Sequence, residues 1–174
     1  VEDGAIIWDG KHASNTFWGT GNSYYDFLLE NGGKMTLDKS TAQNTLVSSG
    51  GSLILTGTAS ASFTEVFESG VVSATGGSQS FTQVSSGGSL YVGDSASHDR
   101  TSVYSGGHLT MTGGSANNLT VYYGGGFTIH TNATLSNFDN NYHSSATITS
   151  NVASNFRLFE SQTLVVNENH KAIN

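Results

Sequence analysis

A Gly-Gly or Ser-Gly pair returns along this chain every 18 or 19 residues, and that period restricts the possible folds more than any other feature. With the second residue of each pair as a marker, the series is Gly33, Gly51, Gly70, Gly88, Gly107 and Gly125. Apolar or threonine side chains stand at fixed offsets from it. Six residues before the marker come Phe27, Thr45, Thr64, Thr82, Thr101 and Leu119, and four before it Leu29, Val47, Val66, Val84, Val103 and Val121. Two after it come Met35, Leu53, Val72, Leu90, Leu109 and Phe127, and four after it Leu37, Leu55, Ala74, Val92, Met111 and Ile129. Alternation with period two on both sides of the glycines means two strands per repeat, each with one face turned inward. The glycines supply a tight turn, where a positive φ is sterically cheap.

A repeat of this length is too short for paired helices and lacks a leucine-rich signature. It accommodates three short strands and three turns, so each repeat reads as one coil of a solenoid pairing in parallel with the coils on either side. The third strand is marked only by small residues, Ala42, Ala59, Ser78, Ala96 and Ala116. They suggest a tight corner where a bulge or a longer turn absorbs the alternation between 18 and 19. The pattern continues without glycine pairs around Ser144, with Phe138, Ala146 and Ile148 in the inward slots. It recovers around Gln162, with Phe156, Leu158, Leu164 and Val166. The expected fold is therefore all-β, a parallel β-helix over residues 23–166, with about eight coils and a length of roughly 40 Å. Residues 1–22 contain both tryptophans, Trp8 and Trp18, and read as an irregular N-terminal cap with room for one imperfect turn. A solenoid end exposes unpaired backbone and apolar interior, so it needs such a cover. Residues 167–174 break the pattern and read as a tail, or as the point where a longer array is cut.

Composition narrows the function. Hydrophobic residues make up 36% and charged residues only 11% of the 174 positions, which separates this chain from charge-rich disordered segments. Proline is absent, as suits a sheet whose strands pair on both sides. Cysteine is absent too, so stability must come from stacking and not from disulfides. A net charge of −7 with six scattered Lys and Arg disfavours nucleic acid, which needs clustered cations. No apolar run reaches membrane-spanning length.

The repeat reads V-S-S-G-G-S-L-Y-V-G-D-S-A-S from Val84, V-Y-S-G-G-H-L-T-M from Val103 and V-Y-Y-G-G-G-F-T-I from Val121. It resembles the passenger repeats of the AIDA/antigen-43 family of self-transporting bacterial adhesins, clearly over residues 23–129 and weakly over 130–166. The resemblance implies a right-handed parallel β-helix, exported through the outer membrane and displayed on a Gram-negative surface. It also implies attachment to host cells, self-aggregation and, in some members, sugars on Ser or Thr. The right-handedness rule for parallel crossovers agrees with it.

Paired carboxylates would be needed for glycoside cleavage, and the thirteen acids occupy unrelated slots. The densest polar cluster, Asp94, His98, Asp99 and Arg100, reads as a solvated loop after Val92. The six histidines lack ligand spacing and no calcium-type glycine–aspartate repeat occurs, so neither a metal nor a cofactor is expected, and no catalytic residue is assigned. The slot three before the marker holds Glu30, Ser48, Phe67, Ser85, Tyr104, Tyr122, Asn141 and Phe159, all outward if their neighbours point in. Phe67, Tyr104, Tyr122 and Phe159, with Tyr123 beside them, would form an aromatic stripe. Such rings either stabilise the sheet by pairing between coils or mark a surface for a partner or glycan. Outward positions one and three after the marker are rich in hydroxyls, and Ser52, Ser73, Ser89, Thr110 and Thr128 are the candidates for O-glycosylation implied by the resemblance. The expected function is a non-enzymatic adhesin segment on the bacterial surface, its partners a host-cell surface, a glycan or like molecules. The alternatives are a β-helical polysaccharide-processing enzyme and a purely structural stalk.

Overall fold

In the computed structural model, residues 16–21, 23–130, 132–140, 146–148, 152–157 and 171–173 are described, the backbone alone at 16–20, 140 and all three C-terminal segments. Every strand pairing among them is parallel. Strands alternate between two sheets. The first sheet holds the short strands β1 (Thr16–Thr20), β3 (Lys34–Asp38), β5 (Ser52–Thr56), β7 (Val71–Ala74), β9 (Ser89–Val92), β11 (His108–Met111), β13 (Gly126–Ile129) and β15 (Ala146–Ile148), in that order. The second holds β2 (Ser23–Leu29), β4 (Thr41–Val47), β6 (Ser60–Val66), β8 (Ser78–Val84), β10 (Ser97–Val103), β12 (Ser115–Val121), β14 (Thr134–Asn140), β16 (Val152–Arg157) and β17 (Lys171–Ile173). One short and one long strand make a coil, and the fold is a β-solenoid.

Among the described residues six coils, from β3 to β14, are complete, against the eight expected, and β1 with β2 and β15 with β16 continue both sheets beyond them. The two glycine-free markers, Ser144 and Gln162, fall outside the described residues, although the strands flanking them extend both sheets. Phe127 pairs with Ala146, Ile129 with Ile148, and Phe138 with Phe156, as the slots required. The pairing extends into both terminal segments, at the N-terminus as the one imperfect turn allowed for there and at the C-terminus as a strand not expected. In the N-terminal segment β1 aligns Phe17 with Met35 and Gly19 with Leu37. In the supposed tail, β17 sets Ala172 beside Ala153, one 19-residue period on.

The inward slots form a continuous core. Leu53, Leu55, Val66, Val72, Val84, Leu90, Val103, Leu119 and Val121 have no exposed surface, whereas Tyr91, next to Leu90, is 46% exposed. Full burial of one such side chain contributes about 1.5–3 kcal/mol. The core is not wholly apolar. Thr45, Thr64, Thr82 and Thr101 stack coil upon coil at 0–2% exposure, and none of their hydroxyls has a hydrogen-bond partner. A β-branched side chain suits a strand interior, but each lone buried hydroxyl sacrifices its hydration.

Three strands per coil were expected and two are formed, because the long strand contains both of the outstanding segments. Its fourth residue adopts a left-handed conformation: Asp26, Asn44, Phe63, Phe81, Arg100, Asn118 and Asn137 have φ between 50° and 57°. That residue bends the strand and shifts the alternation. Burial in β6 therefore reads inward at Ala61, outward at Ser62 and Phe63, then inward at Thr64 and Val66. The small-residue corner is likewise two slots. Ala42, Ala61 and Ala116 are the second residues of long strands, while Ala59 and Ala96 are buried in the turns before them, and Ser78 is exposed. Counted from the positions after Leu37, Leu55, Ala74, Val92 and Met111, these corners cover residues 38–40, 56–59, 75–77, 93–96 and 112–114, alternately three and four residues, with Asp38 and Thr56 still the last residues of β3 and β5. The longer ones close with Ala59 N–H donating to the Thr56 carbonyl and Ala96 N–H to that of Gly93, each at 3.1 Å. This is where the 18/19 alternation is taken up.

The two positions of each pair serve different needs. The first carries the positive φ, as at Gly50 (79°) and Gly87 (89°), and Ser49 and Ser86 before them are also left-handed, the φ signature of a type I′ turn. The marker glycine closes the turn: Gly88 N–H donates to the Ser85 carbonyl at 2.8 Å. Its φ is ordinary, and its requirement is space. A Cβ on Gly51, Gly70, Gly88 or Gly107 would overlap a backbone carbonyl of the preceding coil, that of Leu29, Val47, Val66 or Val84. On Gly87 the nearest atom would be 3.7 Å away.

Two stability tests follow from this interior. Gly88→Ala should cost at least about 2 kcal/mol by forcing neighbouring coils apart, while Gly87→Ala should cost only the left-handed penalty of about 1–2 kcal/mol. Urea midpoints of the two variants compare them directly. Thr82→Val, which keeps the shape and removes the lone hydroxyl, should raise stability by about 1 kcal/mol; a fall in the midpoint would mean that the hydroxyl is satisfied.

Candidate functional site

The stripe anticipated three residues before each marker lies at the exit of the long strand. Tyr104 and Tyr122 are stacked face to face, with ring centres 4.7 Å apart and planes within 5°. Their backbones occupy the same place in adjacent coils, so stacking is the direct result of register. Tyr122 is 38% exposed and Tyr123 70%. Phe67 is half-buried and stands apart, because Ser85 occupies the coil between it and Tyr104. Ser48 corrects the expectation that the whole slot faces outward: it is 4% exposed. Its own surroundings cover it, whereas Ser85, Phe67 and Tyr104 in the same slot keep part of their surface exposed. Phe159 and Asn141 lie outside the described residues.

The hydroxyl candidates are all half-buried and belong to two rows. Ser52 and Ser89 share a row with Lys34, Val71, His108 and Gly126, and Ser73, Thr110 and Thr128 share the other with Thr36, Ile54 and Tyr91. His108 Nε2 lies 3.3 Å from Thr128 Oγ1.

Sequence reasoning missed a third column, the left-handed bend of the long strands. Near one end Asn44 Nδ2 donates to Asp26 Oδ1 at 2.9 Å. In the middle Phe63 and Phe81 stack at 4.9 Å with planes within 10°, and the Arg100 guanidinium lies 4.7 Å over the Phe81 ring. Arg100 Nη1 also reaches Asp99 Oδ2 at 3.1 Å. At the far end Asp99 Oδ1 accepts from Asn117 Nδ2 (3.1 Å) and Asn118 Nδ2 (2.8 Å), and Asn117 Oδ1 accepts from Ser136 Oγ and Asn137 Nδ2, both at 2.9 Å. The signal was present at Asp26, Asn44, Asn118 and Asn137, since Asn and Asp tolerate left-handed φ. Phe63, Phe81 and Arg100 hid it.

Two recesses flank Phe63. One, of about 370 Å³, is lined by Asp26, Leu28, Asn44, Leu46, Phe63 and Glu65. The other, of about 300 Å³, lies among Phe63, Glu65, Phe81, Gln83 and Arg100. Asp26 and Glu65, in unrelated slots of the repeat, are thus brought to one hollow. Phe63 is 54% and Leu46 39% exposed. Among the described residues no group of three His, Asp or Glu is placed to hold a metal.

The Asp94–Arg100 cluster is not one solvated loop. Asp94 sits exposed in the turn with φ 42°, and Asp99 and Arg100 pair at the surface. His98 instead points inward at 2% exposure, with Gln79 and Ala116 at the same position in the neighbouring coils. Neither of its ring nitrogens has a partner, and burial pushes its pKa down from 6.5 to about 4. The shifted alternation upstream of Arg100 turned it inward.

No protein-family model and no curated protein sequence matches the chain. Among solved structures, a TibC-catalysed hyper-glycosylated TibA fragment is similar at 18% identity and a TM-score of 0.37, covering 99% of this chain and 98% of that one. The solenoid itself is established by the strand pairing described above.

His98 makes the protein sensitive to acid in a definite direction. The unfolded chain binds the proton near pH 6.5 and the folded one only near pH 4, so stability falls as pH drops through that window. The loss should reach on the order of 3 kcal/mol by pH 4. His98→Leu, which places the residue found at Leu135 in the same slot, should remove this component. Urea unfolding at pH 7 and pH 4.5 measures it; equal pH sensitivity in both proteins would show that other groups govern it.

Proposed function

We propose that this chain is a non-enzymatic segment of a bacterial surface adhesin of the AIDA/antigen-43 type, presenting the outer rows of its solenoid for attachment to cells or to like molecules. The observation that carries the proposal is the stacked, outward Tyr104–Tyr122 pair with Tyr123 beside it. Buried rings would serve the core, whereas exposed, preorganised rings offer area to a partner at little entropic cost. The Gly-Gly repeat supports the same reading, since it commits each coil's interior to stacking and leaves the exterior free to vary. Display outside the cell, on the bacterial surface, is part of the proposal, and so are a host-cell surface, a glycan or like molecules as partners. Sugar attachment to Ser52, Ser73, Ser89, Thr110 or Thr128 also remains with it, and intact mass of the protein from its native source would reveal it.

The test displays the chain on beads and measures adhesion to cultured cells and bead-to-bead clumping. Replacing Tyr122 and Tyr123 together by Ser should lower one of these at least severalfold while leaving the urea midpoint within about 1 kcal/mol, because both residues are exposed. Unchanged adhesion and clumping would return the chain to the role of a stalk.

A further inference from the structure

The column of left-handed residues is a ladder with one rung left empty. Coils follow one another at about 4.8 Å. Arg100, Phe81 and Phe63 occupy three successive coils, each flat group lying on the next at 4.7 and 4.9 Å. The ladder stops at Phe63. In the next coil the same position holds Asn44, whose amide is drawn away to Asp26 by a 2.9 Å hydrogen bond. Phe81 covers one face of the Phe63 ring, and the ring is still 54% exposed. Beyond it lies the 370 Å³ recess, with Leu28 and Leu46 as its apolar lining and the Asp26 and Glu65 carboxylates as its polar lining.

The protein already shows what chemistry completes such a ladder. On Phe81, the group above the ring is a guanidinium, held at the same time by a carboxylate, Asp99. The hollow at Phe63 repeats the ring and the carboxylates and lacks the cation. We propose that it is a binding site for the guanidinium of an arginine on a basic segment of a partner protein. The guanidinium would stack on the free face of Phe63 as a fourth rung and pair with Glu65 and Asp26. Charge selects this occupant. The two acids disfavour acidic sugars and anionic peptides, and a chain of net charge −7 draws basic partners. Geometry selects it as well, since a planar guanidinium stacks on a ring and forks to a carboxylate at once, which an ammonium cannot do. The site gives the adhesin reading a partner chemistry, yet it is measured on the isolated chain, so loss of cell attachment would not overturn it, nor would its own failure remove attachment through the tyrosines.

The experiment is titration of the full chain with an end-capped tetra-arginine peptide, followed by amide chemical shifts at low and at physiological salt. Tetra-lysine and a neutral hexose oligomer serve as parallel probes. Shifts should cluster on Asp26, Leu46, Phe63 and Glu65, with tetra-arginine tighter than tetra-lysine. Phe63→Asn removes the ring and installs the residue that this position holds in β4 and β12, so the bend is kept. Phe63→Asn and Glu65→Gln should each weaken binding by about tenfold, and Tyr123→Ser should leave it unchanged. Wild-type affinity in both recess variants would reduce the binding to net charge and overturn the site. Shifts at these residues with the hexose oligomer alone would overturn the cation and make the recess a sugar site.

Discussion

The parallel backbone ladder between coils is the constraint from which the rest of the molecule follows. Each strand residue lies beside its counterpart one period away and is hydrogen-bonded to the residues flanking that counterpart, so its nearest side-chain neighbours are its own slot-mates at about 4.8 Å. Whatever occupies a slot must tolerate contact with its like. Leu53, Val72, Leu90 and Leu109 do so as core, and Tyr104 with Tyr122 as a stacked pair. Asp26 with Asn44 does so as a hydrogen bond. The same closeness makes the marker glycine necessary, because the turn of one coil rests on the carbonyl of the coil before it. Local flexibility would have tolerated several residue types there; contact with the neighbouring coil tolerates none larger.

The inward slots were legible because two signals coincide in them, period two along the strand and a fixed period between coils. All of the apolar and threonine positions counted from the six markers are buried. What was not legible is the change of phase within the long strand. A left-handed residue places two outward positions in succession, as at Ser62 and Phe63, and every residue upstream then faces opposite to a simple count. That one residue explains three errors together. It hid the bend column, it merged two small-residue slots into one corner, and it made His98 look solvated. Nothing in the charged sequence Asp94–Arg100 announces that its histidine shares a slot with Ala61 and Ala116.

Interior polarity follows the same logic. The threonine column, Gln79 and His98 leave buried polar atoms unpaired, each at a cost of about 1–3 kcal/mol. A solenoid can carry them because its cost is local, spread over coils that each bury several full hydrophobic side chains. Deep burial of a neutral histidine does make the folded state depend on its proton staying off, which ties the stability of the array to the pH of its surroundings.

Outer slots escape this discipline, and distinct chemistry arises where a slot changes its type of residue between one coil and the next. The bend column passes between hydrogen-bonded amides and stacked flat groups twice. Between Arg100 and Asn118 the change is bridged, since Asp99 takes the guanidinium on one oxygen and the amides of Asn117 and Asn118 on the other. Between Asn44 and Phe63 nothing bridges it: the amide turns to Asp26, the ring keeps a bare face, and a hollow opens between them. A regular array of identical rungs would present either a ladder of amides or a ladder of rings, and neither would leave a ring face beside the Asp26 and Glu65 carboxylates. The capacity of this surface to select a partner therefore lies in the departures from its repeat, while the repeat holds those departures in place.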